Sequence, residues 1–525
     1  MGRNLDSASI TIKTRLTALL IPCLIGGYLV ITSTVNVFPD IPVYDVKRVF
    51  QYVLLPVVFL LTLSSSSVRL AFADQVSNVP KLVGLGIVLF LLLGITSAVV
   101  NSESHRGLLY SLVDVSTFGL LMVLAITVAA CREQAGQNFD RMVISFLTVM
   151  ALAVGFQELM GFWAVRSVGG VYNFDLALIH FSFPRMYNHL QTWTIPILAA
   201  LPFVFSRNRL AAVICIIALG LHWYILLVTG ARGSIVSLLT AFMIVSFFSP
   251  IARKAIIRWQ FAGFILGIML YAGFYAISAM DKDRLLPGSQ SATASEQSAE
   301  EFNPAIVNSK EQTRLNSFYD RSVGRPMLHT SGRTGLWKSA IGHTKENPFL
   351  GIGPMNFDCK GPKGRLGSPH NFAFQILSEW GIPALIILVS LGFFMLWFLF
   401  QGLKSSGDEE SGVQALKILL ITSILAACVH LMVSSLLLTP ASQVAAALIG
   451  GWFLGISAQL QQKPNSRLAM GLLCSAALCG LMLLPFGYHE MVKMPVYREQ
   501  LPAVEQGRPR LWQLGKTCSN KIELQ

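Results

Sequence analysis

The sequence predicts an all-α integral membrane protein that crosses the bilayer many times. Hydrophobic residues make up 53% of the 525 residues and charged residues only 13%, about half the charged share of a typical soluble protein. Apolar runs of about twenty residues, the length that spans a bilayer core, recur along the chain. These runs lack the apolar–polar alternation of β-strands. The three observations exclude an ordinary soluble enzyme, a disordered protein and a fibrous protein.

Thirteen apolar runs are candidates for membrane helices. Several of them are short, so we predict twelve membrane helices and keep thirteen as the alternative. Because many further spans follow the first run, that run is predicted to be a membrane helix and not a cleaved signal peptide. The runs lie at about 16–34, 49–64, 81–100, 109–130, 142–160, 191–206, 209–229, 233–249, 259–279, 381–402, 415–437, 442–458 and 467–487.

Lysine and arginine residues predict the orientation. With the N-terminus in the cytoplasm, sixteen basic residues of the short loops lie inside and six outside, as the positive-inside rule requires. This orientation accounts for the net charge of +13 through membrane topology, so nucleic acid is not an expected partner. The six outer residues are Lys47, Arg48, Arg106, Arg166, Arg185 and Arg232.

The spans divide the chain into four regions. We predict N-terminal membrane helices at 1–280, a large periplasmic loop at 281–380, C-terminal membrane helices at 381–488 and a polar basic tail at 489–525. The tail lies inside with twelve spans and outside with thirteen; its basic character slightly favours twelve. With thirteen spans, Cys359 and Cys518 share the oxidising side and could form a disulfide.

The large loop has two parts. Residues 287–302 are small and polar, which is typical of mobile segments. Residues 332–380 instead mix aromatic, glycine, basic and histidine residues, and they predict short helices at Thr334–Thr344 and Phe372–Trp380. Long ordered loops usually carry function.

Three separate segments place polar groups at the predicted outer face. They are FPRMYNHLQTW before the run 191–206, the short turn TGARGS before the run 233–249, and SPHNFAFQ in the large loop. His222 and His430 lie inside apolar runs and are predicted to be hydrogen-bonded packing residues. The candidate catalytic residues are His370, Arg232 and Arg333; the candidate substrate-binding residues are Arg185, Tyr187, Asn188, His189, Gln191, Asn371 and Gln375.

These residue types together indicate chemistry on a lipid-linked diphosphate. Taken alone, Arg232 could be a helix-end arginine that reaches to the interface, and His370 could be an ordinary loop histidine. Together, arginines can neutralise a diphosphate, and a histidine, with an ordinary pKa of about 6.5, can activate a hydroxyl. No acidic pair on the outer side is placed to hold a metal, so we predict a metal-independent reaction without a cofactor.

The same motifs resemble the O-antigen ligase superfamily, which also includes O-antigen polymerases and bacterial O-oligosaccharyltransferases. The resemblance covers roughly residues 180–400. The ligase signature has a histidine and a polar residue, then nine residues, then a glycine, as His370-Asn371, Phe372–Trp380 and Gly381 do here. Ala384 stands where the signature has glycine, threonine or tyrosine, a departure from the ligase pattern.

The resemblance implies a polytopic, inverting glycosyltransferase of the bacterial inner membrane. Its donor would be a glycan on polyprenyl diphosphate, and its acceptor a hydroxyl of a lipid core, of another glycan or of a protein. By position, His370 corresponds to the proposed catalytic histidine, and Arg232 and Arg333 to the family's arginines. The sequence does not separate ligase, polymerase and O-oligosaccharyltransferase. A flippase for lipid-linked glycans is the alternative from another class, and a membrane scaffold with a partner-binding outer loop is a third.

Overall fold

The structure is a computed structural model that describes residues 2–102, 104–168, 178, 180–206, 208–285, 333–357, 367–404, 411–457 and 465–500. Within these ranges the fold is built from helices joined by turns. The α-helices are α1 (Gly2–Thr34), α2 (Val43–Ser64), α3 (Ser66–Asn78), α4 (Lys81–Asn101), α5 (His105–Ala135), α6 (Gln137–Ser167), α7 (Pro184–Leu198), α8 (Leu201–Val204), α9 (Arg209–Val228), α10 (Arg232–Phe248), α11 (Pro250–Ala255), α12 (Phe261–Leu285), α13 (Arg333–Glu346), α14 (Phe372–Lys404), α15 (Ser411–Leu431), α16 (Pro440–Ser457) and α17 (Ser466–Gln500).

In the described part of the chain, eleven helices are long and apolar enough to cross a membrane. The predicted fold class, an all-α multi-pass membrane protein, is confirmed. Two predicted runs do not form such helices. The run 191–206 is divided between α7 and α8, and the run 233–249 forms α10, an apolar helix of 17 residues. With α10 included, the described residues contain twelve apolar helices of 17 residues or more.

Small residues bring the central helices close together. On α16, a Cβ at Gly451 would collide with the Ala125 carbonyl oxygen of α5, and one at Gly455 would lie 2.7 Å from the Ala129 carbonyl oxygen. Small residues four positions apart let two helix backbones approach in a membrane. This contact fixes α16 against α5 and thereby fixes the turn that precedes α16.

Helix α14 bends sharply at Gly381, where the φ angle is +86°. This value lies in the left-handed region that favours glycine, and a Cβ here would collide with the Phe349 carbonyl oxygen. The segment that contains Phe349 also bonds the backbone just before the bend: the Gly353 N–H donates to the Glu379 carbonyl oxygen at 3.0 Å. The bend sets residues 372–380 apart from the apolar part of α14.

The predicted run 415–437 is too long as a helix, because α15 already ends at Leu431. Residues 432–439 form a connection with a single 3₁₀ turn, Leu436–Leu438, and α16 begins at Pro440. A proline can start a helix but cannot continue one. The structure therefore adds a non-helical connection with a 3₁₀ turn where the sequence indicated only membrane helix.

Arg48 of α2 braces this connection. Its side chain is 1% exposed, and its guanidinium donates to the Leu438 carbonyl oxygen at 2.8 Å and to Gln51 Oε1 at 2.8 Å. The Tyr44 hydroxyl donates to the same Leu438 oxygen, also at 2.8 Å. One of the six outer basic residues thus supports the fold.

The described part of the large loop contains the two helical segments that the sequence predicts. Helix α13 covers the predicted Thr334–Thr344 segment, and α14 begins at Phe372. The polar stretch 287–302 and both cysteines of the possible disulfide, Cys359 and Cys518, lie outside the described residues.

Candidate active site

His370 lies directly before α14 in an unusual backbone conformation. Its φ angle is +54°, which a residue with a side chain adopts at a cost. Its backbone N–H donates to Ser368 Oγ at 3.3 Å, and its ring Nδ1 lies 3.2 Å from Ser435 Oγ. Ser368 and Ser435 also hydrogen-bond each other. Two serines from different parts of the chain therefore fix the position of the imidazole.

Asn371 ties the start of α14 to the same connection. Its Oδ1 accepts from the Phe374 N–H at 3.0 Å, which caps the helix. Its Nδ2 donates to the Met432 carbonyl oxygen at 2.6 Å. The His370–Asn371 pair is thus anchored to residues 432–435 through both side chains.

Two further histidines lie beside His370. His189 Nε2 is 2.9 Å from Ser434 Oγ, and His430 Nδ1 is 2.9 Å from Thr192 Oγ1. The rings of His189 and His430 meet edge to face with centroids 5.3 Å apart. His189 is also within electrostatic reach of His370. The start of α7, the end of α15 and the start of α14 therefore converge.

Three arginines stand in the first turns of three helices. Arg185 is the second residue of α7, and Arg232 and Arg333 are the first residues of α10 and α13. These three first turns contain no acidic residue. A helix N-terminus already carries partial positive charge, so it disfavours a cation and favours an anion. This arrangement is suited to an anionic ligand.

The helix ends that carry the arginines lie close to His189, His370 and His430, which we call the histidine cluster. Burial, and then the positive charge of Arg185, lower the pKa of Arg333. Arg333 is also within electrostatic reach of His430. On α10, a Cβ placed on Gly233, the residue after Arg232, would lie 3.3 Å from His430 Nε2. The structure thus brings together the three sequence segments that were predicted to converge.

Residues 214–389 match the family model described as O-Antigen ligase. The chain carries an O-antigen ligase domain. The match confirms, over these residues, the resemblance to the O-antigen ligase superfamily that the motifs predicted. It supports a membrane glycosyltransferase of the ligase or polymerase type. No curated protein matches the chain significantly.

The O-antigen ligase domain contains only part of the site. Arg232, Arg333 and His370 lie inside the matched residues. Arg185 and His189 precede them on α7, and the connection 432–439 follows them. Flanking helices therefore complete the cluster around the domain.

Three of the predicted substrate-binding residues point into the helical bundle. Tyr187 and Gln191 are 0% exposed and Asn188 is 1% exposed. The Tyr187 hydroxyl lies 3.2 Å from His222 Nδ1, and Gln191 Nε2 donates to the His222 carbonyl oxygen at 2.8 Å. We expect these side chains to fix α7 against α9 rather than to contact a sugar.

The other predicted residues of this group lie nearer to His370. Asn371 caps α14 and Gln375 lies in the first turn of that helix, and both side chains are buried. His189 is 9% exposed and hydrogen-bonded to Ser434, while Arg185 is exposed. Within the described residues, no group of three or more His, Cys, Asp or Glu side chains is placed to hold a metal ion.

Sequence reasoning missed Ser434 and Ser435, which hold two of the histidines. His222 and His430 are buried and hydrogen-bonded, as predicted, but His430 also borders the site. The available signal was weak: two adjacent serines followed by Thr439 and Pro440 inside an otherwise apolar run.

Proposed function

We propose that this protein transfers a glycan from a polyprenyl diphosphate to an acceptor hydroxyl, at the periplasmic face of a bacterial inner membrane. The observation that carries the proposal is the placement of His370, which is held by Ser435 beside helix N-termini that bear arginines. The O-antigen ligase domain supports the reaction class. The excess of basic residues in the other short loops supports a cytoplasmic N-terminus.

His370 acts as the general base in this mechanism. When Nδ1–H donates to Ser435 Oγ, 3.2 Å away, the basic lone pair lies on Nε2. Nε2 takes the proton from the acceptor hydroxyl while the oxygen attacks the anomeric carbon. The bond from that carbon to the diphosphate oxygen breaks, and its electron pair leaves with the polyprenyl diphosphate. Direct displacement inverts the anomeric centre.

The arginines stabilise the charge on the departing diphosphate. Arg232 and Arg333 start their helices, so their guanidinium groups and the nearby backbone N–H groups act together on the phosphate oxygens. Arg185 adds a third positive charge, close to Arg333. Preorganised positive groups of this kind are typically the largest contribution to such catalysis. They supply charge neutralisation without a metal ion.

The test is glycan transfer in membranes that contain His370→Ala or Arg232→Ala at normal protein levels. We expect losses of about 10²–10⁴-fold for the base and about 10²–10³-fold for the arginine. His343→Ala is the matched histidine control, since His343 lies within α13 and hydrogen-bonds Ser339 at 3.3 Å. Arg209→Ala is the matched arginine control, since Arg209 starts α9 at the end of that helix remote from α10. Full activity in both test variants would disprove the mechanism.

The acceptor distinguishes the members of this reaction class. A lipid-core sugar, a second lipid-linked glycan and a protein hydroxyl correspond to ligase, polymerase and O-oligosaccharyltransferase. A neighbouring core-oligosaccharide, polysaccharide or pilin gene would separate them. Topology mapping that placed His370 in the cytoplasm would instead favour a flippase.

A further inference from the structure

A small, mostly apolar cavity lies between α2, the residues before α7 and the start of α16. Its enclosed part has room for about one water molecule, and with the space that opens from it to solvent its volume is about 240 Å³. Lys47 of α2, Phe181 and Met186 line one side, and Thr439 lines the other. Met186 follows Arg185 in the sequence, and Thr439 follows Ser435 by four residues. The cavity therefore borders the proposed active site but does not include His370 or the three arginines.

The side chain of Lys47 lines this cavity and is buried. The residue is 5% exposed, and its ammonium has no hydrogen-bond partner in the part of the chain that the structure describes. The ammonium lies 3.2 Å from the centroid of the Phe181 ring, a cation–π contact. Burial, and then the charge of Lys47, lower the pKa of His180. Among the described residues, the Lys47 ammonium therefore contacts the Phe181 ring but donates no hydrogen bond.

A second hydrogen-bond donor faces the same space. Thr439 is 6% exposed, and among the described residues its Oγ1 also lacks a partner. Buried ammonium and hydroxyl groups without partners are costly, and native proteins usually satisfy them. A water molecule could satisfy Thr439, but it would leave the charge of Lys47 unneutralised. A carboxylate or phosphate oxygen would satisfy both groups.

We propose that Lys47 and Thr439 form an anion subsite that binds a carboxylate or phosphate group carried by the glycan donor or its acceptor. The assignment of the anion to these substrates rests on the proposed function. Since the subsite adjoins the transfer site, it selects for substrates that carry a negative charge on a neighbouring sugar. Lys47 is one of the outer basic residues that topology does not explain.

Binding is tested on the purified full-length protein, without reliance on transfer. The measurement is the melting temperature in D-glucuronate, inorganic phosphate or glucose at constant ionic strength. The variants are Lys47→Met, which keeps the chain length without the charge, and Thr439→Val. Lys81→Met, at an exposed lysine that starts α4, is the matched control.

We expect D-glucuronate or phosphate to raise the melting temperature of the native protein by about 1 °C or more. The control variant Lys81→Met should show the same rise. In Lys47→Met that rise should be lost or reduced, with an apparent affinity about tenfold weaker. A response to glucuronate alone identifies a sugar acid, and one to phosphate alone a phosphate group. Equal responses in the native protein and Lys47→Met, or none in the native protein, would overturn the proposal.

Transfer assays then separate this proposal from the proposed function. Loss of transfer in Lys47→Met with the natural substrate, but not with its carboxyl-reduced or dephosphorylated form, supports the subsite. If His370→Ala keeps full activity, the proposed function fails, while the melting experiment still decides whether Lys47 binds an anion.

Discussion

Replacing Ser435 with alanine removes the hydroxyl that holds His370 without touching the imidazole itself. Ser435 Oγ lies 3.2 Å from His370 Nδ1 and also bonds Ser368. In the proposed mechanism the serine accepts from Nδ1–H, which places the basic lone pair on Nε2 and helps to orient the ring. In Ser435→Ala the base is still present, but this support for its tautomer and direction is removed.

The expected loss follows from that single contact. A hydrogen bond of 3.2 Å is longer than the usual 2.9–3.0 Å for N–H···O, so we take a net contribution of about 0.5–1.5 kcal/mol. Because the bond acts when the imidazole gains its proton, this energy is lost from the transition state. Transfer should therefore slow about 2- to 12-fold, well short of the about 10²–10⁴-fold expected when the base is removed. The loss should fall on kcat more than on KM.

The assay is initial-rate glycan transfer in isolated membranes, measured between pH 5 and 9. Without the Ser435 acceptor the protonated imidazole is less favoured, so the acid limb of the pH profile should move to lower pH. Ser434→Ala is the matched control, because Ser434 is the neighbouring serine but bonds His189, at 2.9 Å, instead of His370. This variant should leave the pH profile unchanged. A Ser435→Ala enzyme with native rate and profile, or the same profile shift in Ser434→Ala, would refute the reasoning.

Two further substitutions test the site and the fold. Arg333→Gln should reduce transfer by about 10²-fold. Its melting temperature should be unchanged or higher, because the substitution removes a positive charge from a helix N-terminus, which stabilises the helix by about 0.3–1 kcal/mol. Losses of both activity and stability would contradict this. Gly381→Ala should lower the melting temperature, because φ is +86° and a Cβ collides with Phe349, at a cost of about 1–3 kcal/mol. Its control, Gly392→Ala, has no atom within 4 Å of the added carbon and should melt like the native protein.

The fold class could be predicted from the sequence because its signals are local. A run of apolar residues long enough for the bilayer predicts its own helix, and eleven of the predicted runs form such helices in the described residues. The run 191–206 failed because a hydropathy window does not detect where a helix is interrupted. There, α7 ends at Leu198 and α8 starts at Leu201. The polar side chains of α7 form hydrogen bonds with residues far away in the sequence.

The candidate site could be predicted only in part. His370, Arg232 and Arg333 were visible because they interrupt apolar or glycine-rich segments with chemically active groups. Ser435 was not visible, since its role depends on a contact across 65 residues of sequence. A serine within an apolar run is ordinary in a membrane helix, so only the three-dimensional contact reveals its role.

The outer basic residues show why position alone does not assign a role. Sequence reasoning separates them from the cytoplasmic majority, but the structure divides them further. Arg48 is buried and bound by several oxygen acceptors, so it needs no ligand to be stable. Arg232 stands at a helix N-terminus, whose partial positive charge favours a bound anion. Lys47 is buried against an aromatic ring and lacks an oxygen acceptor among the described residues. A buried cation such as Lys47, which no oxygen of the described residues accepts from, implies that an anionic ligand does so, and that is the basis of the proposed subsite.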